Sequence, residues 1–206
     1  MDNMETMNNT MEQNFIQFIT TALNGVDEHG CSPLHYCSQV MSSTALEILL
    51  PIQYFNVNQQ DCLGHTPLST AFMHPTANRI DFYKIVAMLL QSGADPNLCA
   101  PTCPTPLMVA VLQKDYLLVQ VLLAYGADPN VRLQGEGLLI PAGTSAFSLA
   151  LQRPLEKEIL SENELQILWI LIHHVSASTI FHGIQKVSRS YKDIVMNLMA
   201  MRSGKV

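Results

Sequence analysis

Leu-Leu-Gln-Ser-Gly-Ala-Asp-Pro-Asn (residues 89–97) returns as Leu-Leu-Ala-Tyr-Gly-Ala-Asp-Pro-Asn (residues 122–130), with Asn97 and Asn130 33 residues apart. Between the two phrases lies Thr105-Pro106-Leu107, followed by Met-Val-Ala-Val-Leu. Self-similarity at a fixed period marks a chain built of stacked units, and the content of one unit can be read directly. The Thr105 hydroxyl suits a helix N-cap, and Pro106 suits the first helical position, where no amide is required. A second helix is predicted from about Asp115, apolar over residues 116–124. It ends at Gly126, which accepts the left-handed conformation that side chains with a Cβ resist. Asp128, Pro129 and Asn130 then form a turn. Leu107 is expected in the core.

A 33-residue period, a helix-turn-helix unit, Thr-Pro-Leu opening the first helix and Gly-Ala-Asp-x-Asn closing the second together resemble the ankyrin repeat family. The resemblance implies an all-α solenoid of stacked helix-turn-helix units, with short hairpin-like fingers between them and helical caps at the ends.

Outward from this centre the register extends in both directions. Repeat one, residues 24–58, contains Ser32-Pro33-Leu34-His35, with its second helix over residues 45–50. Repeat two, residues 59–97, opens at Thr66-Pro67-Leu68. The intervals Asn24 to Ser32, Asn58 to Thr66 and Asn97 to Thr105 are all eight residues. The first two of these fingers share Asn-x-x-Asp-x-x-Gly (Asn24, Asp27, Gly30 and Asn58, Asp61, Gly64). Repeat two carries about six extra residues between its helices, assigned to the stretch from His74 to Arg79, and its second helix copies that of repeat three (residues 98–130) position for position. Repeat four, residues 131–175, is degenerate. Thr144-Ser145-Ala146-Phe147 stands for its opening phrase, its finger is enlarged, and a second insertion spans about residues 152–162. Residues 1–10 are expected to be disordered, residues 11–23 to form an N-terminal capping helix, and residues 176–206 a C-terminal helical cap. Trp169 aligns with Ala87 and Gln120, and a covering helix would explain a tryptophan there.

The formal charge of −6 and the absence of any basic cluster argue against a nucleic-acid partner. No run of eighteen apolar residues and no basic-then-apolar leader is present, so neither membrane spanning nor secretion is expected. Five cysteines (Cys31, Cys37, Cys62, Cys99, Cys103) at irregular spacing fit free thiols in a reducing setting, cytoplasmic or nuclear. Low charge, irregular insertions and many Asn, Gln and Met would suit a pathogen protein delivered into a host cell.

No enzymatic constellation assembles. His29, Cys31, His35 and Cys37 cluster in repeat one, but zinc needs four convergent ligands and a nucleophile needs an adjacent base and oxyanion donors. The resemblance gives His35 a structural role between repeats. Cys99 and Cys103 lack a second ligand pair, His173 and His174 suit the end of a helix dipole, and Glu156 and Glu158 read as a solvated loop. No catalytic residue, cofactor or metal is expected.

The resemblance implies a non-enzymatic protein-binding module, an adaptor or inhibitor, whose partner meets the fingers and the exposed positions of the first helices. By matching position these are Glu28, His29, Cys31 and Gln39; Cys62, Leu63, His65, Met73 and His74; and Leu112 and Gln113. To them the enlarged finger adds Leu138, Leu139 and Ile140, either a partner contact or a strap folded back on the stack. The alternatives are a cysteine-dependent enzyme using Cys31 or Cys37, or a substrate for asparagine hydroxylation at Asn97 and Asn130. The chain is expected to be a monomer, with dimerisation through the C-terminal helices as the alternative.

Overall fold

A computed structural model describes residues 21–22, 24–52, 55–73, 79–135, 140–152, 160–185, 187 and 189–204. The regular structure among them is helical. The predicted disordered stretch 1–10 and most of the predicted capping helix lie outside the described residues, as do Leu138, Leu139, His74, Glu156 and Glu158. The chain divides into two compact units, Met1–Ala94 and Asp95–Val206, so the break falls within the closing turn of repeat two, just before repeat three.

In the first unit, α1 (Pro33–Gln39) and α2 (Ser43–Leu49) form repeat one, and α3 (Pro67–Met73) and α4 (Arg79–Gln91) form repeat two. α1 packs on α3 and α2 on α4, so each kind of helix makes its own layer. The core consists of Leu34, Leu46, Leu68, Ala71, Ile85, Val86 and Leu89, all essentially inaccessible to water.

In the second unit, α5 (Pro106–Leu112) and α6 (Tyr116–Ala124) form repeat three, while α7 (Ala146–Leu151) and α8 (Glu162–His174) form repeat four. Thr105 caps α5 by accepting a bond from the Met108 amide, and Asp115 caps α6 by accepting from the Leu118 amide. Gly126 has φ +86° after α6, and Gly93 has φ +89° after α4, so both closing glycines take the left-handed role that their positions predict. The second helices of repeats two and three bury the same register positions, Ile85, Val86, Leu89 and Leu90 against Leu118, Val119, Leu122 and Leu123.

Two register details differ from the sequence reading. The cap of α7 is Ser145, not Thr144. Its hydroxyl accepts from the Ser148 amide while the Ser148 hydroxyl accepts from the Ser145 amide, a reciprocal box that Thr144 lacks. The inserted residues of repeat two are also not all loop. α4 begins at Arg79, one helical turn before Tyr83, the residue aligned with the start of α6. α8 is lengthened in the same direction and carries the Ser161/Glu164 capping box at its start. Each insertion therefore adds a turn to the front of a second helix.

Two further helices follow. α9 (Ala177–Ile184) packs on α7, where Gly183 lets Leu151 and Phe147 approach so closely that a Cβ would lie 2.7 Å from Leu151. α10 (Arg189–Arg202) packs on α8 with Val195 buried. The Tyr191 hydroxyl donates to the Ala150 carbonyl at 2.8 Å. Arg202 donates to the carbonyls of Ile172 and Val175, satisfying acceptors at the C-terminal end of α8 that the helix itself leaves open. Trp169 is half-buried on α8, its ring edge-on to that of His173.

Candidate partner-binding surface

The two fingers of the first unit are built alike from the Asn-x-x-Asp-x-x-Gly phrase. A carboxylate oxygen of Asp27 accepts from the amides of His29 (2.9 Å) and Cys31 (2.8 Å), and the second oxygen accepts from the Tyr36 hydroxyl. Asp61 repeats the pattern, accepting from the amides of Leu63 and His65 and contacting the His65 ring at 3.1 Å. Gly30 (φ +76°) and Gly64 (φ +89°) close the turns. The Cys62 amide donates to the His29 carbonyl at 2.9 Å, joining one finger to the next.

His35 fixes the fingers to the helix layer. Its Nδ1 accepts from the Ser32 amide at 3.0 Å, which leaves the proton on Nε2, and Nε2 donates to the His65 carbonyl at 3.0 Å. The histidine thus bonds across neighbouring repeats. Asparagines form a second set of links. Asn24 Oδ1 accepts from the Asn56 amide, and Asn58 donates to the Gly93 carbonyl. In the second unit Asn97 donates to the Gly126 carbonyl and accepts from the Asp128 amide. Both ends of the Asn97 amide are engaged, while among the described residues the Asn130 side chain bonds to neighbouring Asp128.

Of the residues expected at the surface, Glu28, His29, Cys62 and Leu63 sit exposed at the finger tips, and Cys31 is half-buried beside them. Gln39 and Met73 are exposed at the ends of α1 and α3, as are Leu112 and Gln113 at the end of α5 in the second unit. One expectation is corrected, and one open alternative is narrowed at its described residue. His65 is only 7% exposed, since its ring is turned onto Asp61 and its carbonyl receives His35. Ile140 is only 6% exposed, so of the two readings of the long finger its described residue takes the inward one. Nearby, Leu133 is also buried, and its amide and carbonyl bond to the Thr144 carbonyl and the Gly143 amide. Tyr36 was missed. It lies 48% exposed, with its hydroxyl pinned to Asp27, and the signal was available: it directly follows Ser-Pro-Leu-His on the exposed side of a first helix.

The electrostatics favour ionised carboxylates at Asp27 and Asp61 and protonated thiols at Cys31, Cys37 and Cys99. The Tyr36 hydroxyl, followed by the Cys31 amide, holds the Asp27 carboxyl below its usual range. Burial pushes Asp61 up, but the amide and ring of His65 and the amide of Leu63 outweigh it and bring the group down. Burial pushes the Cys31 thiol up, reinforced by the charges of Asp27 and Asp61, and burial likewise raises Cys37. A nucleophilic cysteine needs the opposite shift. Cys99 is raised by burial and by Cys103. Among the described residues no group of three or more His, Cys, Asp or Glu side chains converges to hold a metal ion, and no helix is long and apolar enough to cross a membrane.

Family comparison agrees with this geometry. A three-copy ankyrin-repeat model matches residues 6–100, and a single ankyrin-repeat model matches residues 105–132. The chain is also 40% identical over 70 residues to a mitochondrial disaggregase of Bos taurus. That match covers 34% of this chain and 10% of the relative, so the chain spans a small fraction of that protein's length. From the repeated phrases, the two-layer helices and these matches, the chain belongs to the ankyrin-repeat family, whose stacked units are protein-binding modules.

Proposed function

We propose that this chain is a non-enzymatic docking module, an adaptor or an inhibitor, that holds a partner protein on its fingers and on the exposed positions of its first helices. The observation that carries this reading is the construction of the fingers at residues 27–31 and 61–65. Their tips are in water, yet each is held by aspartate-to-amide bonds, by a left-handed glycine and by the bond between the fingers. Such a surface loses little conformational freedom when a partner binds, so more of the contact energy appears as affinity.

The exposed side chains of this unit supply apolar and polar contacts together: Leu63 at 72% exposure, Met73 at 49% and Tyr36 at 48%, with Glu28, His29 and Gln39 also exposed. Large apolar groups surrounded by polar ones are the composition of interaction surfaces. The raised thiols of Cys31 and Cys37 support a binding role over a cysteine-dependent one, and five cysteines outside any disulfide support an intracellular setting.

The test is photo-cross-linking from two exposed positions in cell lysate, one with the reactive group at Leu63 on a finger tip and one with it at Ile48 on a second helix. A defined adduct from the Leu63 position, absent from the Ile48 position, is the expected result. Adducts from Ile48 alone would move the binding surface to the second helices.

A further inference from the structure

Arg79 is the first Lys or Arg in the chain, so repeat one and the first helix of repeat two carry no permanently cationic side chain. The entire formal charge of −6 falls within residues 1–94, and residues 95–206 are neutral in sum. Three of the eight carboxylates in residues 1–94 lie where the first unit exposes apolar groups. Asp27, Glu28 and Asp61 lie on the same two fingers as Leu63, and Tyr36 is bonded to Asp27. Asp27 and Asp61 are kept ionised by the donors around them. Glu28 is 87% exposed, with the His29 ring 3.7 Å from its carboxylate.

This combination restricts what can dock. An exposed apolar surface accepts many apolar partners, but a field of one sign with no Lys or Arg within it repels acidic segments and attracts basic ones. Nucleic acid is repelled by the same field. The Tyr36 hydroxyl is held by Asp27, so its ring is fixed and about half exposed, and a Lys or Arg side chain over its face gains a cation–π contact beside a carboxylate. Glu28 extends into water, where it can meet a second cation, and Leu63 offers an exposed apolar seat on the neighbouring finger.

We infer that the partner presents a basic segment, Lys or Arg residues around at least one large apolar side chain, and that this segment seats across the two fingers of residues 1–94. The inference rests on the docking reading above and adds the chemistry of the partner to it. The apolar side chain packs on Leu63, one cation faces Glu28 and a second lies against Tyr36. Binding weakens with salt, because the attraction is between exposed charges.

A random dodecapeptide phage library selected against the full chain provides the test, with enriched peptides then titrated by fluorescence anisotropy against three exposed-site variants. Enrichment of net-positive peptides containing a large apolar residue is expected. Their affinity should fall at least tenfold for Glu28→Lys and for Leu63→Ser, and change less than twofold for Glu47→Lys, an exposed carboxylate on α2. Melting temperatures confirm that each variant is folded. Enrichment of neutral or acidic peptides that still depend on Leu63 overturns the basic-segment inference and leaves the docking reading standing. Basic peptides as sensitive to Glu47→Lys as to Glu28→Lys also overturn it, since diffuse charge alone then explains their binding. No enrichment at all overturns both.

Discussion

Repeats one and three open with nearly the same phrase, Ser32-Pro33-Leu34-His35 and Thr105-Pro106-Leu107-Met108, yet they hold their neighbours by different physics. His35 is buried and spends both ring nitrogens on backbone groups, one of them in the next finger. Met108 fills the same register position with no exposure at all and presents an apolar side chain. The fingers differ likewise. Those at residues 27–31 and 61–65 carry an aspartate that gathers backbone amides, whereas the finger before Thr105 has no aspartate after Asp95 and relies on Pro101 and Pro104 to restrict the chain. One helix-turn-helix frame therefore tolerates polar or apolar linkage at its joints, and only the polar form leaves a charged, rigid tip.

The largest expected effects break this comparison at its centre. Met108→Ala removes a fully buried side chain and should cost about 2–5 kcal/mol. His35→Ala should cost about 1–3 kcal/mol, because the Ser32 amide loses its buried acceptor and the His65 carbonyl keeps only the Asp61 amide of its two donors. Urea unfolding measures both, with Trp169 fluorescence following the second unit and far-UV circular dichroism the whole chain. A His35→Ala cost above that of Met108→Ala would show that the polar joint is the stronger one.

The next effect is smaller and concerns glycines of the same sign of φ. Gly93→Ala forces a Cβ into the left-handed region with nothing within 4 Å, a cost of about 1–2 kcal/mol. Gly30→Ala meets the same backbone penalty, and its Cβ also falls 2.9 Å from the Cys62 amide nitrogen and 3.2 Å from Asp61. Those are backbone atoms that cannot rotate away. The Gly30 variant should therefore be the less stable of the two in thermal melts, and amide exchange at Cys62 should accelerate. Equal costs would mean that the joint between the fingers yields easily.

Most of the frame was legible in the residues because it rests on local chemistry. The cap Thr105, the helix start near Asp115, the closing Gly93 and left-handed Gly126, and the matching second helices of repeats two and three follow from spacing and side-chain type alone. Where two residues offered the same chemistry, the sequence was ambiguous. Thr144 and Ser145 are both hydroxyl caps, and only the reciprocal bond to Ser148 decides between them. The extra turns of α4 and α8 were read as loop because inserted residues carry no mark of whether they continue a helix. In the candidate surface the exposed tips were legible by position. His65 was not, since whether a histidine turns outward depends on a carboxylate four residues away that only the folded finger brings near. Ile140 illustrates the same limit, because apolar character alone does not say which way a loop residue faces.

The smallest effect distinguishes a charge used within a finger from one used between repeats. Asp27 and Asp61 serve their own turns, but Glu164 at the start of α8 pairs with Lys114, the left-handed residue (φ +57°) between the helices of repeat three, at 2.8 Å. Partial burial pushes Glu164 up, but the Lys114 ammonium and the Ser161 amide and hydroxyl outweigh it and bring the carboxyl from 4.5 to about 2. The folded value is the depressed one, so the stabilisation is present in full above the unfolded value near 4.5 and is lost as pH falls toward about 2. Both partners are partly in water, and screening limits the contribution to about 1 kcal/mol or less. Lys114→Ala should therefore lower stability slightly at pH 7 and move the acid transition of Trp169 fluorescence upward, while at pH 2 the variant and the parent should converge. A difference that persisted undiminished at pH 2 would assign the effect of Lys114 to its backbone conformation, and the link between repeats three and four would then owe nothing to charge.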